Sequence, residues 1–410
     1  MIALCSLAGC DAEPAAPDGP SSARAGVTAA PAVRVGLERL DAPEAQTLKG
    51  LRVGLIVNRA SVTRAGTPSV DALRAHGVKV RRLFTPEHGL DGTAGAGVAQ
   101  ANGRDPRTGL AVVSLYGGHT APTARDLAGL DALVFDLQDV GVRFFTYVST
   151  ELLALRAAGA AGLPFYVLDR PNPLGGTLVA GPVAAGRRSF LSVAPGPLVH
   201  GLTAGEMARY VNARSARPAR LTVVAMTGWR RSLRWADTGR RWIPPSPNLR
   251  SPDAALLYPG TALFEATNVS EGRGTPSPFT TICAPWLDVA ATLRAARRPD
   301  VRLSARTVVP RSSDAAPAPK YAGVRCPGVH AAPVRATVDG FRVGLALLHA
   351  VRRDPRFAWL GGGASLDTLA GTPRPRRALD RGASVAAIVA SEAPAVRDWE
   401  RARASALLYP

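Results

Sequence analysis

From about residue 50 the sequence repeats one unit: a short apolar run, a polar cluster at its end, then residues spaced for a helix. Gly50 to Asn58 is apolar and closes on Asn58-Arg59. Ser69 to His76 has helical spacing and stops at Gly77. Val78 to Phe84 runs into Thr85-Pro86-Glu87-His88-Gly89, and Leu110 to Tyr116 ends in Ser114-Leu115-Tyr116-Gly117. Leu130 to Asp136 enters Leu137-Gln138-Asp139; a helix over about Tyr147 to Ala158 follows. Pro164 to Leu168 then leads into Asp169-Arg170-Pro171-Asn172. Parallel strands need a crossover, usually a helix, so the alternation predicts an α/β fold with a Rossmann-like, doubly wound, mostly parallel sheet. Ligands in such sheets bind beyond the carboxyl ends of the strands, where each polar cluster falls.

Glu87 and His88 stand out among these clusters. Pro86 cannot donate to a ladder, and Gly89 and Gly92 free the backbone to turn, so a carboxylate and an imidazole are presented side by side just past a strand. Further on, Gly181 to Gly205 is loop-rich and carries His200; Thr203, with Glu206 after it, has the capping-box spacing that opens a helix towards Asn212. Leu221 to Met226 reads as another strand, and Trp242 to Pro259 is proline-rich and includes Asn248. A second, smaller α+β domain is expected over 258–410, after a Rossmann-like domain over 33–257. It carries Glu265 to Thr275, an amphipathic helix over about Gly340 to Arg352, and a last helix before Leu407.

Met1 to Cys10 ends in Leu7-Ala8-Gly9-Cys10, the spacing of a lipoprotein signal peptide whose cysteine is acylated, although no basic residue precedes the apolar stretch. Residues 11–32, rich in Ala, Pro, Gly and Ser, read as a flexible tether. Export to the periplasmic or envelope face of a membrane, with a lipid on Cys10 as the only membrane contact, is the expectation. No later run is long and apolar enough to span a bilayer. An oxidising compartment would also permit a disulfide between Cys283 and Cys326.

The formal charge of +19 raises the possibility of a nucleic-acid partner. Lysine occurs only at 49, 79 and 320, the arginines are scattered, and no zinc-finger, RNP-like or basic-heptad pattern is present, so no nucleic-acid role is expected. No cofactor is expected either: no GxGxxG follows the first strand, and Gly92 to Gly97 lacks the lysine of a phosphate-binding loop. A metal-dependent hydrolase using Glu87, His88, His119, Asp136 or Asp139 is an alternative, without HExxH or HxH spacing to support it. A lipoprotein that binds cell-wall sugar without turnover is another.

Eight segments, FTPEHGLDG, SLYG, FDLQDVGVRFFTY, LDRPNPLGG, HGLTAGE, PPSPN, LYPGTALFEATNVSEGRGTPSPF and SALLYP, resemble in the same order the NamZ-type exo-β-N-acetylmuramidases. The likeness runs from about Val33 to Pro410, with Phe145 where tyrosine is usual and Cys283 where glycine is usual. It implies a Rossmann-like domain, a smaller second domain, a cleft between them, and release of N-acetylmuramic acid from the non-reducing ends of peptidoglycan-derived muropeptides or disaccharides.

Glycoside hydrolysis needs an acid at the leaving oxygen and a second carboxylate as base or nucleophile. Glu87 is the expected general acid, in a turn where desolvation favours the protonated form, and His88 orients it or meets the sugar. Glu271, in a glycine-flanked loop, is preferred over Asp139 as the second carboxylate; Asp136 reads as support for its turn. The lactyl carboxylate of N-acetylmuramic acid suits a guanidinium fork, which singles out Arg143, Arg170 and Arg273. Asn58, Asn172, Asn248, Asn268 and His200 are candidates for sugar hydroxyls or the N-acetyl group, and Tyr116 for stacking on the pyranose.

Overall fold

In the computed structural model, residues 32–185, 189–334 and 338–410 are described, and Cys10 with its flanking segment lies outside them. The apolar runs form β1 (Arg52–Ile56), β2 (Lys79–Thr85), β3 (Gly103–Arg104), β4 (Ala111–Ser114), β5 (Ala132–Phe135) and β6 (Phe165–Leu168). β7 (Ala180–Val183) and β8 (Pro197–Val199) pair as a separate ribbon, and β9 (Leu221–Val224) returns to the main sheet. That sheet has the order β3-β4-β2-β1-β5-β6-β9 and is parallel except at its β3 edge. Connections go one way from β1 to β2 and the other way to β5, so the crevice of a doubly wound sheet opens beside β1.

Both faces of the sheet are covered, and the strands alternate between two cores. Val53, Leu55 and Val57 enter one cluster with Ala132 and Val134, while Ile56 joins Leu133 and Phe135 in the other. The two-residue period of a strand is thus apolar on both phases, which explains the continuous apolar runs. Gly54 is required at the centre, because a Cβ there would come within 2.6 Å of the Phe84 ring and 2.8 Å of Leu130 and Leu133.

The helix Ala204–Asn212 is capped as its spacing predicts: Thr203 Oγ1 accepts from the Glu206 amide at 3.2 Å, and the Glu206 carboxylate accepts from the Thr203 amide at 3.0 Å. The helix Pro252–Thr261 runs through the position, 257/258, where the two domains are read to divide. It packs on the helix Gly340–Val351 through glycine, and a Cβ on Gly344 would lie 2.2 Å from the Gly260 Cα.

A smaller antiparallel sheet, in the order β10-β12-β11, is built from β10 (Thr281–Cys283), β11 (Val301–Val308) and β12 (Cys326–Pro333). Cys283 and Cys326 are buried free thiols in contact, with a hydrogen bond between them that pushes Cys283 up and Cys326 down from the ordinary thiol range. After the helix Val385–Arg403 the chain end returns to the large sheet, where the Tyr409 hydroxyl donates to Asp169 at 2.5 Å. Ala32–Pro410 is one compact unit. No helix among the described residues is long and apolar enough to cross a membrane.

Candidate active site

β2 stops at Thr85, and Pro86 turns the chain so that Glu87 is buried just beyond the carboxyl edge of the sheet. Several donors converge on its carboxylate. The Gly97 amide donates to Oε1 at 2.7 Å, and the Thr146 hydroxyl, in the first turn of the helix Thr146–Ala160, donates to Oε2 at 2.8 Å. The Tyr116 hydroxyl also bonds to it; burial first, then the Glu87 charge, pushes that phenol up to about 12, so it stays a donor.

His88 makes this arrangement possible. It has φ 75°, a left-handed conformation that costs a non-glycine residue about 1–2 kcal/mol. In return its Nδ1 meets the Ala94 carbonyl at 2.7 Å and its own carbonyl accepts from the Ala94 amide at 3.4 Å, which closes a loop that delivers Gly97 to Glu87. Nδ1 therefore carries the proton. Burial lowers the imidazole's pKa below its ordinary value, so the ring is neutral at neutral pH.

Glu87, His88, Tyr116 and Arg273 line a cavity of about 300 Å³, at the lower end of the range for small-molecule sites. Phe144, Phe145, Tyr258 and Phe279 supply an aromatic wall, with Tyr258 edge-on to Phe144 and Phe279 at 5.2 and 4.8 Å. Phe145 packs against Tyr147 and Tyr258, so the absence of a hydroxyl at that position removes none of these contacts.

The second acid on this cavity is Glu265, which was not singled out from the sequence. It lies deep in the fold, yet 31% of its side-chain surface is open. Arg273 donates to its Oε1 at 2.6 Å. Burial pushes the Glu265 carboxyl above its ordinary range, Arg273 opposes that push, and nearby Glu271 adds to it. Glu271 does not line the cavity. It is held by Lys320 at 2.9 Å and faces Arg273 at 3.4 Å, so it braces the guanidinium from behind.

Most of the other residues read from the sequence hold the frame. Asn58 donates to Tyr147 Oη at 2.8 Å and to the Pro245 carbonyl at 3.1 Å. Asn172 closes its own turn through the Leu174 amide and the Leu202 carbonyl, both at 3.0 Å. Asn248 bonds the Ala315 carbonyl at 2.7 Å, and Asn268 the Arg356 carbonyl at 2.8 Å. Arg143 is fully buried and spends its fork on the Ala370, Leu369 and Leu191 carbonyls. Arg170 pairs with Asp136 at 2.5 Å. Among the described residues no three His, Cys, Asp or Glu side chains could hold a metal ion.

Asp139 and His200 do not line the cavity and face each other at 4.0 Å. Burial pushes the aspartate up to about 7 and the imidazole down to about 3, so the contact is not an ion pair at neutral pH. An acid that holds its proton more tightly when folded loses stability as pH rises from its unfolded value of about 3.9 towards its folded one, and the loss levels off above that. Asp139→Asn is therefore expected to raise stability at pH 8 by a few kcal/mol at most, and to do so far less near pH 4. Urea unfolding at the two pH values measures this; no gain at pH 8 contradicts it.

A larger cavity, about 920 Å³, lies elsewhere, between the Ser192–Gly196 loop and the helix Val385–Arg403. Its one acid, Asp398, is an exposed partner of Arg401, so it holds no pair of carboxyls for chemistry.

A doubly wound α/β sheet whose carboxyl edge brings one carboxylic acid, and a later 3-10 turn a second, to one sugar-sized, aromatic-walled cavity has the equipment of a glycoside hydrolase. The chain belongs to the NamZ exo-β-N-acetylmuramidase family: the family's N-terminal model matches residues 53–253 and its C-terminal model residues 256–409. It is 38% identical over 387 residues to the peptidoglycan β-N-acetylmuramidase NamZ of Bacillus subtilis strain 168, covering 92% of each chain. Two solved DUF1343 family proteins from Bacteroides fragilis NCTC 9343 share the fold. One has a TM-score of 0.82 at 30% identity and the other 0.73 at 28%, each covering 92% of this chain and 99% of its own.

Proposed function

We propose that the protein is an exo-acting glycoside hydrolase that removes N-acetylmuramic acid from the non-reducing ends of peptidoglycan fragments, with Glu87 as general acid and Glu265 as the second carboxylate. The observation that carries this reading is the shared cavity of Glu87, Glu265 and Arg273. Among the described residues Glu87 has no cationic partner and is surrounded by neutral donors, whereas Glu265 is paired with a guanidinium. The guanidinium favours the ionised form of Glu265, the state that a base or nucleophile needs. In the reaction Glu87 gives its proton to the glycosidic oxygen as the C1–O bond breaks. Glu265 either takes a proton from the incoming water or attacks C1 itself. Arg273, with its charge partly shared, is the group placed to meet the lactyl carboxylate, and Tyr116 the ring at the cavity wall.

A chromogenic β-N-acetylmuramide tests the reading. Rapid release from it, with little from the N-acetylglucosaminide that lacks the lactyl group, is the expected result. Binding without turnover of either makes the protein a sugar-binding one.

Anchoring by a lipid on Cys10 is part of the same proposal, since it would hold the enzyme at the envelope where its substrate is made. Expressed with its leader in a bacterium, the protein should partition into detergent and Cys10→Ala should not. Equal partitioning of the two removes the anchor.

A further inference from the structure

A second recess, of about 140 Å³, is lined by the loop after β1 and by residues following β5 and β6, at the switch point between β1 and β5. Four guanidiniums line it: Arg64, Arg170, Arg240 and Arg241. Two of them have carboxylate partners, Arg170 with Asp136 at 2.5 Å and Arg240 with Glu38 at 2.8 Å. Both terminal nitrogens of Arg64 donate to backbone carbonyls, of Gly239, Thr238 and Val33, at 2.7, 2.9 and 3.1 Å, which spends its fork but fixes its uncancelled charge at the recess. Arg241 is exposed and has no partner among the described residues. Two positive charges, both on exposed side chains, are thus left without a carboxylate partner around a recess whose lining includes the buried Ala60, Gln138, Arg170 and Trp235, and Arg170 and Arg64 are close enough to repel Arg240.

Like charges are brought together at a cost unless an opposite charge joins them. We propose that this recess is a second ligand site, which binds a small oxyanion, a phosphate or a carboxylate, between the Arg241 fork and the fixed charge of Arg64, beside the Arg170–Asp136 pair. The planar guanidinium of Arg241 can match either oxyanion bidentately, and the crevice beside the switch point is where doubly wound sheets receive ligands. The recess is less than half the volume of the catalytic cavity, which excludes a disaccharide or a nucleotide. It connects to the chemistry through one loop: Asn58, at the start of that loop, bonds the Tyr147 hydroxyl, which reaches the Glu87 carbonyl at 3.4 Å.

Titration calorimetry of the full chain tests this, with inorganic phosphate and with lactate as separate probes, at an ionic strength held constant with chloride. At least one should bind saturably, one per chain. Arg241→Ala should weaken that binding about tenfold or more, as expected for losing a charge-assisted bond, while Arg125→Ala, an exposed arginine elsewhere, should leave it unchanged. Binding of phosphate alone identifies a phosphorylated ligand, and binding of lactate alone a carboxylate; either supports the site. No saturable heat from either anion, or an unchanged affinity in Arg241→Ala with the fold intact by circular dichroism, overturns it.

Discussion

Glu87→Gln is expected to fold and to bind N-acetylmuramic acid normally, while cleaving a natural disaccharide about 10²–10⁴ times more slowly. Folding should survive because glutamine can keep two of the three bonds that anchor the side chain: its oxygen accepts from the Gly97 amide, and its NH₂ donates to the Thr146 hydroxyl. What is lost is the proton for the departing sugar oxygen. The size of the loss should therefore follow the leaving group, being largest on the disaccharide and smallest on an aryl glycoside whose phenolate departs unaided. A variant that hydrolyses the disaccharide at near-normal rate takes the acid role away from Glu87. If the leaving-group dependence is found for Glu265→Gln instead, the two roles are exchanged.

Glu265→Gln should cost a similar factor, about 10²–10⁴, but equally on disaccharide and activated aryl glycoside, because a base or nucleophile is needed whatever leaves. Its raised carboxyl pKa also sets a pH dependence. Glu265 must be ionised to act, so turnover should fall on the acid side through a pKa above the ordinary carboxylate value. Since Arg273 opposes that elevation, Arg273→Met should move the acid limb to still higher pH as well as weaken substrate binding. Glu271→Gln, which leaves the cavity wall intact and loosens the Lys320 contact, should cost far less than Glu265→Gln. The reverse order of severity would return the second role to Glu271.

The sheet was legible in the sequence because both its phases are apolar and its polar clusters sit at strand ends, so Asn58, Glu87, Tyr116 and Asp169 all fall beyond the same carboxyl edge. The difference between Glu265 and Glu271 was not legible. Both sit in an irregular segment, a 3-10 turn followed by bends, where no periodicity fixes which way a side chain faces. The choice is made by Lys320, 49 residues further on, which captures Glu271 and leaves Glu265 to the cavity. The asparagines mislead for a related reason: the groups that suit sugar hydroxyls also suit turn carbonyls, and Asn58, Asn172 and Asn268 were already engaged. Arg170 shows the same economy, its fork matched to Asp136 and not to a substrate.

The glycine-to-glycine crossing of the helices Pro252–Thr261 and Gly340–Val351 also bears on how substrate enters. The boundary between the two family segments falls at the start of the first helix, and the crossing rivets it to the second with no side chain between. The chain end then clips back onto β6 through Tyr409. Fastened at both of these places, the two segments form one compact body, which is expected to act as a fixed gauge, admitting a glycan terminus to the depth of its cavity and refusing the middle of a strand. Such a body should melt in a single calorimetric transition, with or without sugar bound.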